Sequence, residues 1–186
     1  MEIRNNTAIN STSFGMAFIK PEPDKMKAFA KYVMNDGMEK GRVRKINLAE
    51  RGLKQLQKEH EQDANFDFLF DGKDSFIIKP MSDAAIEMLP AGEKVIMPKG
   101  GYPSALSEMS KELDGYIQNP PSSKFKQVLI GAKMCLKMLK ARLHTYTKPQ
   151  EYLPDSLRYA SDRTAALEKR AHRQIERERR IDKALK

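Results

Sequence analysis

Tryptophan is absent, cysteine occurs once, and nowhere do the 186 residues gather anything near the ~20 consecutive apolar side chains of a membrane-spanning helix. Each absence excludes a class. With Cys135 alone there is neither an internal disulfide nor a Cys-rich zinc site, so disulfide-stapled secreted scaffolds fall away and a reducing compartment, the cytoplasm, is expected. The first residues, with Asn5, Asn6, Thr7, Asn10, Ser11, Thr12 and Ser13, lack the apolar centre of a signal peptide, so neither a cleaved leader nor a membrane partner is expected. Gly-x-x-x-x-Gly-Lys-Ser/Thr and Gly-x-Gly-x-x-Gly are both missing, which removes the two standard phosphate-cradling loops. His60, His144 and His172 fall on separate predicted helices without His-x-x-x-His spacing, so no metal site is expected. Nothing is spaced for catalysis either, and the reading is of a non-enzyme that needs no cofactor; an enzyme whose carboxylates or serines meet only in three dimensions is left open.

Hydrophobic residues make up 40% and charged residues 32% of the chain, leaner than an average globular protein but patterned well enough to fold. No period of 20 to 50 residues repeats, so solenoids and propellers are excluded. Residues 14–19 form a short apolar run that suits a first strand. Pro23 suits a helix N1 position, and Met26, Phe29, Ala30, Val33 and Met34 then give one apolar face until Asn35-Asp36-Gly37 ends it. Residues 42–46 are expected as a short exposed strand, and Asn47 with Glu50 as a capping box for a second helix. Residues 66–70 and 75–79 are rich in β-formers around an Asp71-Gly72-Lys73-Asp74 turn, a hairpin signature. A short helix over 82–89, a strand over 93–97 and a helix capped by Ser104 follow. The stiff Asn119-Pro120-Pro121-Ser122-Ser123 connector then leads to two long helices, 124–145 and 156–186. The fold class is α+β: a small, mostly antiparallel sheet with packed helices, followed by two long basic C-terminal helices. The division expected is a neutral α+β domain over 1–118, the connector at 119–123, and a basic helical region over 124–186.

Charge is unevenly shared. Residues 1–114 hold 17 Lys or Arg against 18 Asp or Glu, whereas residues 115–186 hold 17 against 7. No acidic residue occurs in 115–150. At ~100° per residue, Lys126, Lys133, Lys137, Lys140 and His144 project within about 60° of one another. Val128, Ala132, Cys135, Leu139 and Leu143, with Phe125 close by, fall away from that ridge and are expected to supply the buried face. Lysines four residues apart repel in an isolated helix, and an anionic partner would relieve that repulsion. In the last helix Leu157, Ala160, Leu167, Ala171, Ile175 and Leu185 make a narrow apolar stripe, and Arg170, Arg173, Arg177 and Arg180 lie opposite. Arginine suits bidentate contact with phosphate or carboxylate.

The expected partner is therefore nucleic acid, contacted along its backbone by Lys126, Lys133, Lys137, Lys140, Arg170, Arg173, Arg177 and Arg180, or a nucleoprotein complex that the chain serves as accessory factor or inhibitor. The alternative is a protein-interaction module whose C-terminal helices self-associate or meet an acidic protein. Bland readings accompany each feature: a lysine ridge can be a solvated face, the last helix intersperses acids and pairs Glu176 with Arg180 and Asp182 with Lys186 as a salt-bridged solvent helix would, Glu59-His60-Glu61 diverges on a helix and leaves His60 at the core edge, and methionines such as Met34, Met38, Met134 and Met138 ordinarily fill a core.

Overall fold

A computed structural model describes residues 23–72 and 74–185; the strand expected over 14–19 lies outside the described residues. The architecture is α+β. Helix α1 (Pro23–Glu39), a 3-10 turn (Val43–Lys45) and α2 (Ile46–Glu59) precede a three-stranded antiparallel sheet of β1 (Phe66–Gly72), β2 (Ser75–Pro80) and β3 (Glu93–Lys94), with α3 (Asp83–Met88) between the last two strands. Then come α4 (Ala105–Gln118), α5 (Lys124–Thr147), a 3-10 turn (Pro149–Tyr152) and α6 (Asp155–Ala184).

The hairpin forms as its residues dictate. Phe66 faces Pro80, Phe68 faces Ile78 and Phe70 faces Phe76, with an irregularity between Phe70 and Gly72 where Gly72 takes φ 87°. The period-2 alternation puts Phe66, Phe68, Phe70, Phe76 and Ile78 into one core. Helix α1 adds Phe29 and Tyr32, and the Tyr32 ring stacks on Phe70 with centroids 5.2 Å apart. Helix α6 closes the layer with Leu157, Ala160, Leu167 and Ala171, all buried in the same cluster. Serine caps hold the shorter helices: Ser82 accepts from the Ala85 N–H and Ser104 from the Ser107 N–H.

Four local expectations fail. Helix α1 runs through Gly37 to Glu39, because the chain stops instead at Gly41, whose φ of 63° allows Arg42 N–H to bond Gly37 O at 2.6 Å and Gly41 N–H to bond Met38 O at 3.0 Å, a Schellman closure. Residues 43–45 form a 3-10 turn where a strand was expected. The chain enters α2 through that turn, so no Asn47 capping box forms, and Glu50 takes Lys54 at 2.7 Å. The last strand shrinks to Glu93–Lys94, although Val95 N–H still bonds Phe76 O.

Two polar devices fasten α6 to the sheet. The buried Glu168 carboxylate accepts from the backbone N–H groups of Ala64, Asn65 and Phe66 at 3.1–3.2 Å and from Asn65 Nδ2 at 2.6 Å, satisfying donors at the entry to β1. Arg163 grips Glu93 with Nε and Nη2 at 3.0–3.3 Å. Helix α2 meets the second 3-10 turn so closely that a Cβ on Gly52 would sit 2.6 Å from Pro149 O. A separate, methionine-rich cluster joins α4 to α5, with Met109, Met134 and Ala141 at its centre.

Candidate nucleic-acid interface

Beyond Ala171, the last residue of α6 in the core, the helix continues to Ala184 and extends about 20 Å at 1.5 Å per residue. Arg170, Arg173, Arg177 and Arg180 are exposed on this stretch, and ~100° steps place them within about 80° of one another. They line a cavity of about 520 Å³ together with Met88 of α3 and with Glu176, an acid four residues before Arg180 on the same side of the helix. Among the described residues no carboxylate lies within ion-pair distance of any of the four. Glu178 and Asp182 fall on the other side of the helix, about 80–120° from Arg170, and Glu178 accepts from Gln174 at 3.2 Å.

Helix α5 has three faces. The first is buried: Ile130, Met134, Met138 and Ala141 pack on Leu106, Met109, Leu113 and Tyr116 of α4, and Thr145 Oγ1 donates to Ala141 O at 2.9 Å and to Glu151 at 3.0 Å. The second carries the lysines, and it is divided. Lys126 and Lys133 are exposed, with no carboxylate in ion-pair range among the described residues. Lys137 pairs with Glu112 of α4, and Lys140 lines, with Glu108, Glu112, Lys137, His144 and Glu151, a cleft of about 510 Å³ between α4 and α5. His144 Nδ1 lies 3.0 Å from Glu151.

The third face corrects the expectation that the leucine side packs inward. Phe125, Val128, Leu129, Leu136, Leu139, Leu143 and Tyr146 are exposed, with Phe125 at 76% and Leu136 at 69%, and Cys135 is exposed among them. Polar contacts lie on the packed side of the helix instead. Glu112 and Glu151 stand on the surfaces against which α5 folds, and Lys137 and Thr145 are the groups that satisfy them.

A further convergence went unseen in the sequence. His60 is 2% exposed, with its ring edge-on to Phe68 at 5.1 Å. Its Nδ1 bonds the Asp63 carboxylate, and Ser161 Oγ lies 2.7 Å from its Nε2. The ring thus bridges the Asp63 carboxylate at Nδ1 and the Ser161 hydroxyl at Nε2. The order Asp, His, Ser is that of a hydrolase triad. The setting differs: Ser161 lies within α6, where its own N–H is consumed by the helix and cannot serve as an oxyanion donor. Ser161 borders a cavity of about 290 Å³ with Tyr102, Arg158 and Asp162. Burial pushes the Asp162 carboxyl up, with the Glu59 charge adding to it, and burial lowers the Arg158 guanidinium. Only the proximity of His60 to a core could be read from its helix; its partner stands 101 residues away.

Among the described residues no group of three or more His, Cys, Asp or Glu side chains is placed to hold a metal ion, and no helix is long and apolar enough to cross a membrane. No family model, curated protein or solved structure matches the chain.

Proposed function

We propose that the protein is a non-enzymatic, cytoplasmic binding protein that contacts the backbone of nucleic acid, alone or within a nucleoprotein complex, and so acts as an accessory factor or inhibitor without a cofactor. One observation carries this reading: Arg170, Arg173, Arg177 and Arg180 stand exposed on one face at the end of α6, none of them within ion-pair distance of a carboxylate among the described residues, with Glu176 as the acid beside them. Guanidinium groups so arranged suit phosphates bidentately and sequence-independently. Lys126 and Lys133 would add to the footprint, whereas Lys137 would first have to leave Glu112. The buried Asp63, His60 and Ser161 chain reads as a tie between α2 and α6.

The test is fluorescence anisotropy of labelled duplex and single-stranded DNA and RNA across a salt series. Four phosphate contacts on duplex DNA give log K against log salt a slope of about −3 to −4. Replacing the four arginines by glutamine should flatten that slope. Binding that is absent, or unchanged in the variant, would refute the reading. A second reading, a protein-interaction module built on the C-terminal helices, is favoured by the bare leucine face of α5.

A further inference from the structure

We propose that the exposed apolar face of α5 seats an amphipathic helix of a partner protein, apolar along its contact line and edged with Asp and Glu. This inference rests on the second reading above and is independent of nucleic-acid contact.

Size is the first argument. Phe125, Leu129, Leu136, Leu139, Leu143 and Tyr146 are between 53% and 76% exposed. At roughly 100 Å² apiece they present on the order of 600 Å², the upper end of the largest patch on a typical monomer and close to the ~800 Å² each side contributes to a standard interface. Shape is the second. Positions 125, 132, 139 and 146 recur every seven residues, as do 129, 136 and 143, so one seam runs the length of the helix. Ala132 and Cys135 are small and sit amid the larger side chains, where knobs from a facing helix could enter. A helix with apolar residues on two sides needs cover on both, and α4 covers only one.

Charge selects the occupant. Lys126 and Lys133 border the seam on one edge, Lys124 and Arg142 on the other, and residues 115–150 contain no acid at all. A second copy laid against this face would oppose cations with cations. Nucleic acid would satisfy the cations and leave the leucines wet. An anionic bilayer would take both, but it has no register for a seven-residue seam to match. A carboxylate-edged helix buries the leucines and pairs both borders.

The experiment uses the full chain and two synthetic three-heptad peptides, each with leucine at a and d, one with glutamate at e and g and the other with lysine there. Anisotropy should show the glutamate peptide binding with weakening at high salt and the lysine peptide not binding. The variant Leu136→Glu with Leu139→Glu, both at exposed positions, should bind about tenfold or more weakly while keeping the wild-type circular dichroism spectrum. Bound peptide should slow alkylation of Cys135, the chain's single thiol. Equal binding of the two peptides, or no binding, overturns the proposal. So does a concentration-dependent dimer abolished by Leu136→Glu, which makes the occupant a second copy, or Cys135 protection by phosphatidylglycerol vesicles alone, which makes it a lipid surface. Should Cys135 react freely while the glutamate peptide fails to bind, the occupant is wrong and the bare face stands. Should Cys135 be shielded in the dilute free chain, the interaction reading itself fails.

Discussion

Helices α5 and α6 are both long, basic and amphipathic, yet the fold uses them in opposite ways. Helix α6 lays its apolar stripe on the sheet and turns Arg170, Arg173, Arg177 and Arg180 outward; α5 buries a methionine seam and turns its leucines outward. The difference teaches that apolar content alone does not choose the packed face. On α6 a buried carboxylate that must be satisfied chooses with it. Glu168 on α6 reaches three backbone N–H groups beside β1, so the side of α6 that carries Glu168 is also the side that buries Leu167 and Ala171. On α5 the corresponding anchors, Lys137 and Thr145, lie beside the smaller apolar set, and the larger set is left bare.

The largest effect should come from removing the α6 anchor. Glu168→Ala strands the Ala64, Asn65 and Phe66 donors in the interior and is expected to cost about 3–5 kcal/mol in urea denaturation. A cost under ~1 kcal/mol would show that the apolar stripe alone holds α6. Next comes the pair that distinguishes the two apolar faces of α5. Met134→Ala should cost about 2–3 kcal/mol, and Leu136→Ala, two residues away and larger on hydropathy grounds, less than about 0.5 kcal/mol. Reversed values would mean the leucine face is the packed one.

Much of the fold was legible in local chemistry. The hairpin announced itself through Phe66, Phe68, Phe70 and Ile78 around Gly72, and Ser82 and Ser104 marked helix starts because a cap acts within one turn. The arginine face was legible because helical spacing alone sets it. The packed face of α5 was not, because it is set by contacts with α4 and the second 3-10 turn, which the spacing within α5 does not reveal. Glu168 looked like one more surface acid in a charged helix. The Asp63, His60 and Ser161 chain spans 101 residues between its histidine and serine, and no spacing rule reaches that far.

Smaller effects sharpen the account of α6. Ser161→Ala should lower stability by about 1–2 kcal/mol, by leaving the buried His60 Nε2 without its hydroxyl partner, and a fluorophosphonate probe should not label Ser161 in the native chain. Labelling would make the serine a nucleophile and contradict the structural role given to it. The smallest effect concerns Asp162. Its folded-state pKa is raised by burial, so its ionised form opposes folding at neutral pH, and this penalty vanishes once the pH falls below the ordinary Asp range and both states are protonated. Asp162→Asn should therefore raise the melting temperature slightly at pH 7 and leave it unchanged near pH 3.

The most direct test of the bare α5 face is the rate at which a small thiol reagent modifies Cys135 in the dilute native chain compared with the urea-unfolded chain. The account predicts native and unfolded rates within a few-fold of each other. A native rate slower by orders of magnitude, released only on unfolding, would contradict it and return the leucine face to the interior.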